Sequence, residues 1–122
     1  MKEVMINWLN NIQRIDGIPP KEVIAFNFGL FESTAGFMMY LVGGFEYSEE
    51  NDDWACIKMP TSEHRYLLLP HYIQSQTWEL VLGQCVTNLK ELELEGKLNL
   101  PLFESVIAIT TGFDEGDLIK IR

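Results

Sequence analysis

Apolar residues recur at two different spacings along the chain, and each spacing predicts a different kind of element. Between Glu3 and Ile15 they lie three or four positions apart, which predicts a short amphipathic helix. The same spacing from about Ile73 to about Leu92 predicts a longer helix, with Gly96 as its terminator. The pattern therefore indicates two helices, one at the N-terminus and one in the centre.

Other segments follow the alternation that is typical of strands. Apolar residues occupy the even positions from Glu22 to Phe31, and a second apolar run from Gly36 to Tyr47 follows a short polar turn. Two such runs predict an antiparallel hairpin, in which Gly43 and Gly44 favour a bulge or a bend.

Shorter apolar segments complete the predicted sheet. The segment from Trp54 to Met59 is a candidate third strand, and Tyr66–Leu69 is a candidate edge strand. Two β-branched runs near the end of the chain, around a connection rich in Gly and Asp, predict a terminal hairpin. Grouped strands with helices outside them indicate a single α+β domain over residues 1–122. We expect an antiparallel sheet of four to five strands, packed against the N-terminal helix and the longer central helix.

The charge of the chain narrows the kinds of partner it can bind. Eighteen Asp and Glu residues against nine Lys and Arg give a formal net charge of −9. Nucleic-acid phosphates and anionic membrane surfaces repel such a protein, whereas a basic protein is attracted to it. The alternative is that the negative charge only keeps a small protein soluble.

Two cysteines, Cys56 and Cys85, lie far apart and match no zinc or redox spacing. Each sits among apolar residues, which predicts reduced thiols in the core and a reducing compartment. The first residues lack the apolar run of a signal peptide, and no segment has transmembrane length. We therefore expect a cytoplasmic protein.

Two carboxylate clusters are the main candidates for a binding site. The loop from Glu46 to Asp53 is either a negative rim for Lys and Arg of a partner or a solvated turn. Its spacing does not match the calcium loop of an EF-hand. Asp114, Glu115 and Asp117 form the second cluster, where Asp and Gly also suit the dihedral angles of a turn.

Residues with catalytic or ligating chemistry form no recognisable motif. His64 and His71 fit no metal-ligand spacing, and the serines and cysteines lack the flanking residues of an activated nucleophile. We predict no catalytic residue, cofactor or metal. Trp8 and Trp78 lie on helical stripes, which predicts core positions. Trp54 follows two aspartates, so it is either a core residue or a hot spot for a basic partner.

Three short motifs stand out in the chain: Phe28–Glu32, Asp52–Cys56 and Gly112–Leu118. Together they resemble small acidic bacterial immunity proteins, which are encoded beside polymorphic or contact-dependent toxins. The resemblance implies an inhibitor that docks onto the basic catalytic domain of a toxin, often a nuclease. It implies contact residues in both carboxylate clusters, first Glu49, Glu50, Asp52 and Asp53, and second Asp114 and Glu115. Trp54 joins these partner-binding candidates as the hot-spot alternative.

Two other classes of function stay open on the sequence. A homo-oligomeric structural or adaptor module would use a strand edge or the apolar run from Phe37 to Phe45 as its interface. A small enzyme or ligand-binding domain would need a pocket with convergent polar groups between sheet and helix.

Overall fold

A computed structural model describes residues 1–55 and 60–122 of the chain. Over these residues, two α-helices alternate with groups of strands, and short 3-10 turns lie in the connections. The elements in chain order are α1 (Lys2–Asp16), β1 (Ala25–Ser33), β2 (Gly36–Gly44), β3 (Tyr66–Leu68), α2 (Trp78–Leu94), β4 (Ala108–Phe113) and β5 (Ile119–Lys120). The predicted α+β class, with an N-terminal helix and a longer central helix, is confirmed.

The described strands form one five-stranded sheet in the order β3-β2-β1-β4-β5. Three neighbouring pairs are antiparallel, and the predicted edge strand and terminal hairpin are both present. The sheet is nevertheless mixed, because β1 and β4 run parallel. Parallel strands need a crossover connection, which here contains α2. Hairpin patterns report only local pairing, so they do not reveal this long-range pair.

Both helices cover the same face of the sheet and build the main core there. α1 contributes the apolar stripe that the sequence predicts, and Trp8 is buried, as expected. The even-numbered side chains of β1 point into this core, because successive side chains of a strand alternate between faces. The main members from α1, β1 and α2 are Met5, Trp8, Leu9, Ile12, Phe26, Phe28, Leu30, Val81, Cys85, Leu89 and Leu92.

The connection before α2 is held by one glutamine side chain. The Gln74 amide accepts a hydrogen bond from the Phe37 N–H at 2.6 Å, and it donates to the carbonyls of Phe37 at 3.1 Å and Leu69 at 3.0 Å. Ile73 lies in a 3-10 turn, so α2 begins at Trp78 instead of near residue 73. At the other end, Gly96 takes a φ of 74° and closes the helix, as predicted.

Two local predictions need correction. The β1–β2 pairing is continuous through Gly43 and Gly44, so of the predicted bulge or bend, the bulge is wrong. Instead, a Cβ at Gly43 would lie 2.8 Å from Val23 Cγ1, so glycine is required there for close packing. The candidate strand from Trp54 to Met59 is wrong at its start, because Asp53–Ala55 forms a 3-10 turn. Residues 56–59, and with them the prediction for Cys56, lie outside the described part of the chain.

Candidate protein-binding surface

The acidic loop is attached to the terminal hairpin by two polar contacts. Asp52 Oδ2 accepts a hydrogen bond from the Leu118 N–H at 3.1 Å, just before β5 begins. Glu49 Oε1 lies 2.7 Å from Lys120 Nζ, which projects from β5. Hydrogen bonding with this lysine lowers the pKa of Glu49, and the same contact raises the pKa of Lys120. These contacts place the two predicted carboxylate clusters along one edge of the sheet.

Apolar packing holds the same loop against the face of the sheet that the helices leave free. Trp54 is only 7% exposed and clusters with Ala25 of β1 and Ala108 of β4. Its ring meets that of Tyr47 at a centroid distance of 5.3 Å in an edge-on arrangement. The core alternative for Trp54 is therefore confirmed. Little of its ring is open to a partner, and its contribution to the surface is to anchor the loop.

The turn between β4 and β5 presents the second predicted cluster, and a tyrosine positions its first carboxylate. Asp114 accepts a hydrogen bond from the hydroxyl of Tyr40, and its backbone N–H donates to Leu30 O at 3.1 Å. The Tyr40 ring lies directly over Gly29, where a Cβ would overlap it. Glu115 is exposed. The absence of a side chain at Gly29 thus lets Tyr40 reach across the sheet to the acidic turn.

Together these two segments concentrate the net charge of the protein. We call residues 46–55 and 114–120 the acidic edge. They contain eight carboxylates and one lysine, and so account for seven of the nine net negative charges. Glu50, Asp53 and Glu115 are exposed members of this edge. The rest of the chain is close to charge balance, so the charge is gathered on one part of the molecule.

A groove beside the acidic turn brings together residues that the sequence pattern did not connect. It has a volume of about 590 Å³. Its lining includes Phe37, Trp78 and Phe113, together with the acidic residues Glu32, Asp114 and Glu115. We call it the aromatic groove. Trp78 is 54% exposed, so the prediction of a core position is wrong. Helical spacing suggested burial, but Trp78 is the first residue of α2 and lies where the helix passes the end of the sheet.

His64 and Cys85 lie in surroundings that are typical of structural roles. His64 Nε2 lies 2.8 Å from Asp16 Oδ1, and the Arg65 guanidinium donates to the other oxygen of this carboxylate at 2.8 Å. Cys85 is buried in the core, and burial raises its pKa to about 12, so its thiol is unreactive at neutral pH. Across residues 1–55 and 60–122, no three His, Cys, Asp or Glu side chains are grouped as metal ligands.

The interfaces proposed for self-association can also be located. Much of the apolar run from Phe37 to Phe45 belongs to β2, between β1 and β3, and Phe37, Met39 and Leu41 are buried in the core. Phe45 is exposed beyond the end of β2.

In the parts of the chain that the structure describes, every helix is too short or too polar to cross a bilayer. No family model, curated protein or solved structure matches this chain.

Proposed function

We propose that this protein binds a basic protein partner through the acidic edge, and that it acts as an inhibitor in the manner of immunity proteins that neutralise a toxin. The observation that carries the proposal is the concentration of seven of the nine net negative charges in residues 46–55 and 114–120. A solubility role alone would be served equally well by carboxylates spread over the whole surface.

The arrangement of the acidic edge suits a pre-formed interface. Trp54 and Asp52 hold the loop against the sheet, and Tyr40 holds Asp114, so these groups lose little freedom when a partner docks. Carboxylates pair strongly with Arg and Lys of a partner, and a concentrated negative field accelerates encounter with a positive surface. A basic catalytic domain that binds phosphate is a partner of this kind.

Charge reversal at the exposed positions tests the proposal. The tagged protein is used to isolate its partner from the native host, and the purified partner is then titrated against variants. We expect Glu50→Lys, Asp53→Lys and Glu115→Lys in combination to weaken binding at least tenfold, because several attractive pairs become repulsive. Most of the loss is expected in the association rate, and raising the salt concentration should weaken binding of the unaltered protein.

A matched triple variant separates local contact from overall charge. Glu22, Glu63 and Glu104 are exposed carboxylates outside the acidic edge, so their reversal changes the net charge by the same amount. We expect this control to weaken binding much less. Equal losses in the two triple variants would contradict docking at the acidic edge. Neutralisation is measured separately, as inhibition of the partner's activity by a stoichiometric amount of the protein.

A further inference from the structure

The aromatic groove exposes a row of three aromatic rings beside acidic residues. Its rings form a row, in which Phe113 lies 6.0 Å from Phe37 and 5.9 Å from Trp78 between centroids, both in edge-on contact. More than half of the Trp78 surface remains open to solvent. Exposed aromatic surface beside polar groups is typical of binding sites, because tryptophan contributes a large contact area at a small entropic cost.

Hydrogen bonds and sheet pairing hold the aromatic residues of the groove in position. Gln74 makes hydrogen bonds with both backbone groups of Phe37, and the same residue fixes the connection that leads to Trp78. Phe113 belongs to β4, in the interior of the sheet. A partner would therefore meet rings that already stand in position, without the cost of ordering a loop.

The acidic groups of the groove determine which side chain it can accept. Glu32 lies in β1, and Asp114 and Glu115 follow β4, so three acidic residues belong to the lining of the groove. The bond from Tyr40 orients Asp114 but occupies one of its oxygens only, and a carboxylate has further lone pairs to offer. Glu79 in the first turn of α2 offsets the positive end of that helix. The groove therefore favours a cation over an anion.

From these features we infer that the aromatic groove binds an arginine side chain of the basic protein partner. This inference rests on the proposed function and names the contact that the partner makes. A guanidinium is planar, so it stacks on the face of an indole while its N–H groups donate to carboxylates in pairs. A lysine ammonium makes no such stack and is more strongly hydrated. The volume of about 590 Å³ has room for the side chain and the backbone on either side of it.

A short peptide provides a probe that does not depend on the partner. The full-length protein, labelled with nitrogen-15, is titrated with the capped peptide Gly-Arg-Gly-Arg-Gly and, separately, with the same peptide carrying citrulline in place of arginine. Citrulline has almost the same shape but no charge. We expect the arginine peptide to shift the Trp78 indole resonance and the amide resonances of Glu115 and Gly116, and we expect the citrulline peptide to leave them almost unchanged.

Three variants assign the effect to the groove. Trp78→Ala should weaken peptide binding about fivefold, as judged from the Glu115 and Gly116 amides, and Trp78→Phe should weaken it less. Because Trp78 is largely exposed, both variants are expected to keep the thermal unfolding midpoint within a few degrees. Glu50→Gln changes an acid of the loop outside the groove lining and should leave these shifts intact.

Several results would overturn the inference. Equal shifts with the arginine and citrulline peptides would show that charge is not recognised. Shifts confined to residues 46–53 would place the cation in the loop instead of the groove. Shifts of Glu115 and Gly116 that depend on protein concentration without peptide would show that a second copy of the chain occupies the groove. None of these results decides the charge-reversal test of partner binding, so a failure of the groove inference is distinguishable from a failure of the proposed function.

Discussion

Acids cluster both near the end of α2 and in the acidic edge, but the structure pairs them with cations to different extents. Glu93 is paired with the Arg122 guanidinium at 2.7 and 3.0 Å, and Lys2 Nζ lies within 3.2 Å of both Glu91 and Glu95. Glu50 and Asp53 of the acidic edge are exposed. The comparison shows that clustered acids are not alike. Lys2 and Arg122 pair with all three acids at the end of α2, whereas the acidic edge pairs Glu49 with Lys120 and keeps other carboxylates exposed.

The largest expected effect on stability comes from removing the cation that pairs with an acid of α2. Arg122→Ala should lower the free energy of unfolding by about 2 kcal/mol, because it leaves the half-buried Glu93 carboxylate without its partner. The variant also removes donors from the carbonyls of Phe103 and Leu98. Equilibrium unfolding in denaturant measures the change. The control Lys97→Ala removes an exposed pair and should cost less than about 0.5 kcal/mol. A loss of less than about 0.5 kcal/mol for Arg122→Ala would mean that the Glu93–Arg122 pair does not stabilise the fold.

A smaller effect is expected at Asp16, another compensated acid. Burial tends to raise the pKa of Asp16, but hydrogen bonds from His64 and Arg65 outweigh it and leave the pKa below its ordinary value. The contribution to stability is therefore present above about pH 4 and is lost as the pH falls through the folded-state pKa. Asp16→Asn should cost about 0.5 kcal/mol at pH 7 and nothing near pH 2. Unfolding measured at both pH values tests this, and a cost that persists at pH 2 would contradict it.

The smallest effect on stability is expected at the acidic edge itself. The combination of Glu50→Gln, Asp53→Asn and Glu115→Gln should leave the free energy of unfolding unchanged or raise it by a few tenths of a kcal/mol, because it relieves repulsion between like charges. Added salt should stabilise the unaltered protein more than this variant. A loss of more than about 1 kcal/mol would mean that these acids serve the fold, and the contrast with α2 would then disappear.

The contrast between Trp8, Trp54 and Trp78 shows how far sequence patterns reach. Trp8 belongs to the apolar stripe of α1, and it is buried as predicted. The sequence around Trp54 fits either a core residue or a hot spot, and its packing on Ala25 and Ala108 shows that it is buried. Trp78 belongs to an equally regular stripe but is exposed, because periodicity indicates which face of a helix is apolar and not how far the sheet extends beneath it.

Periodicity and turn residues were sufficient to predict the α+β class, both helices, the first hairpin and the terminal hairpin, because these features depend on neighbours within a few positions. The excess of carboxylates, and their clustering into two segments, can also be read directly from the chain. The parallel β1–β4 pair, the attachment of the acidic loop to β5 and the aromatic groove depend on contacts between residues about 60 to 80 positions apart. Local preferences do not encode such contacts, and only packing in three dimensions decides them.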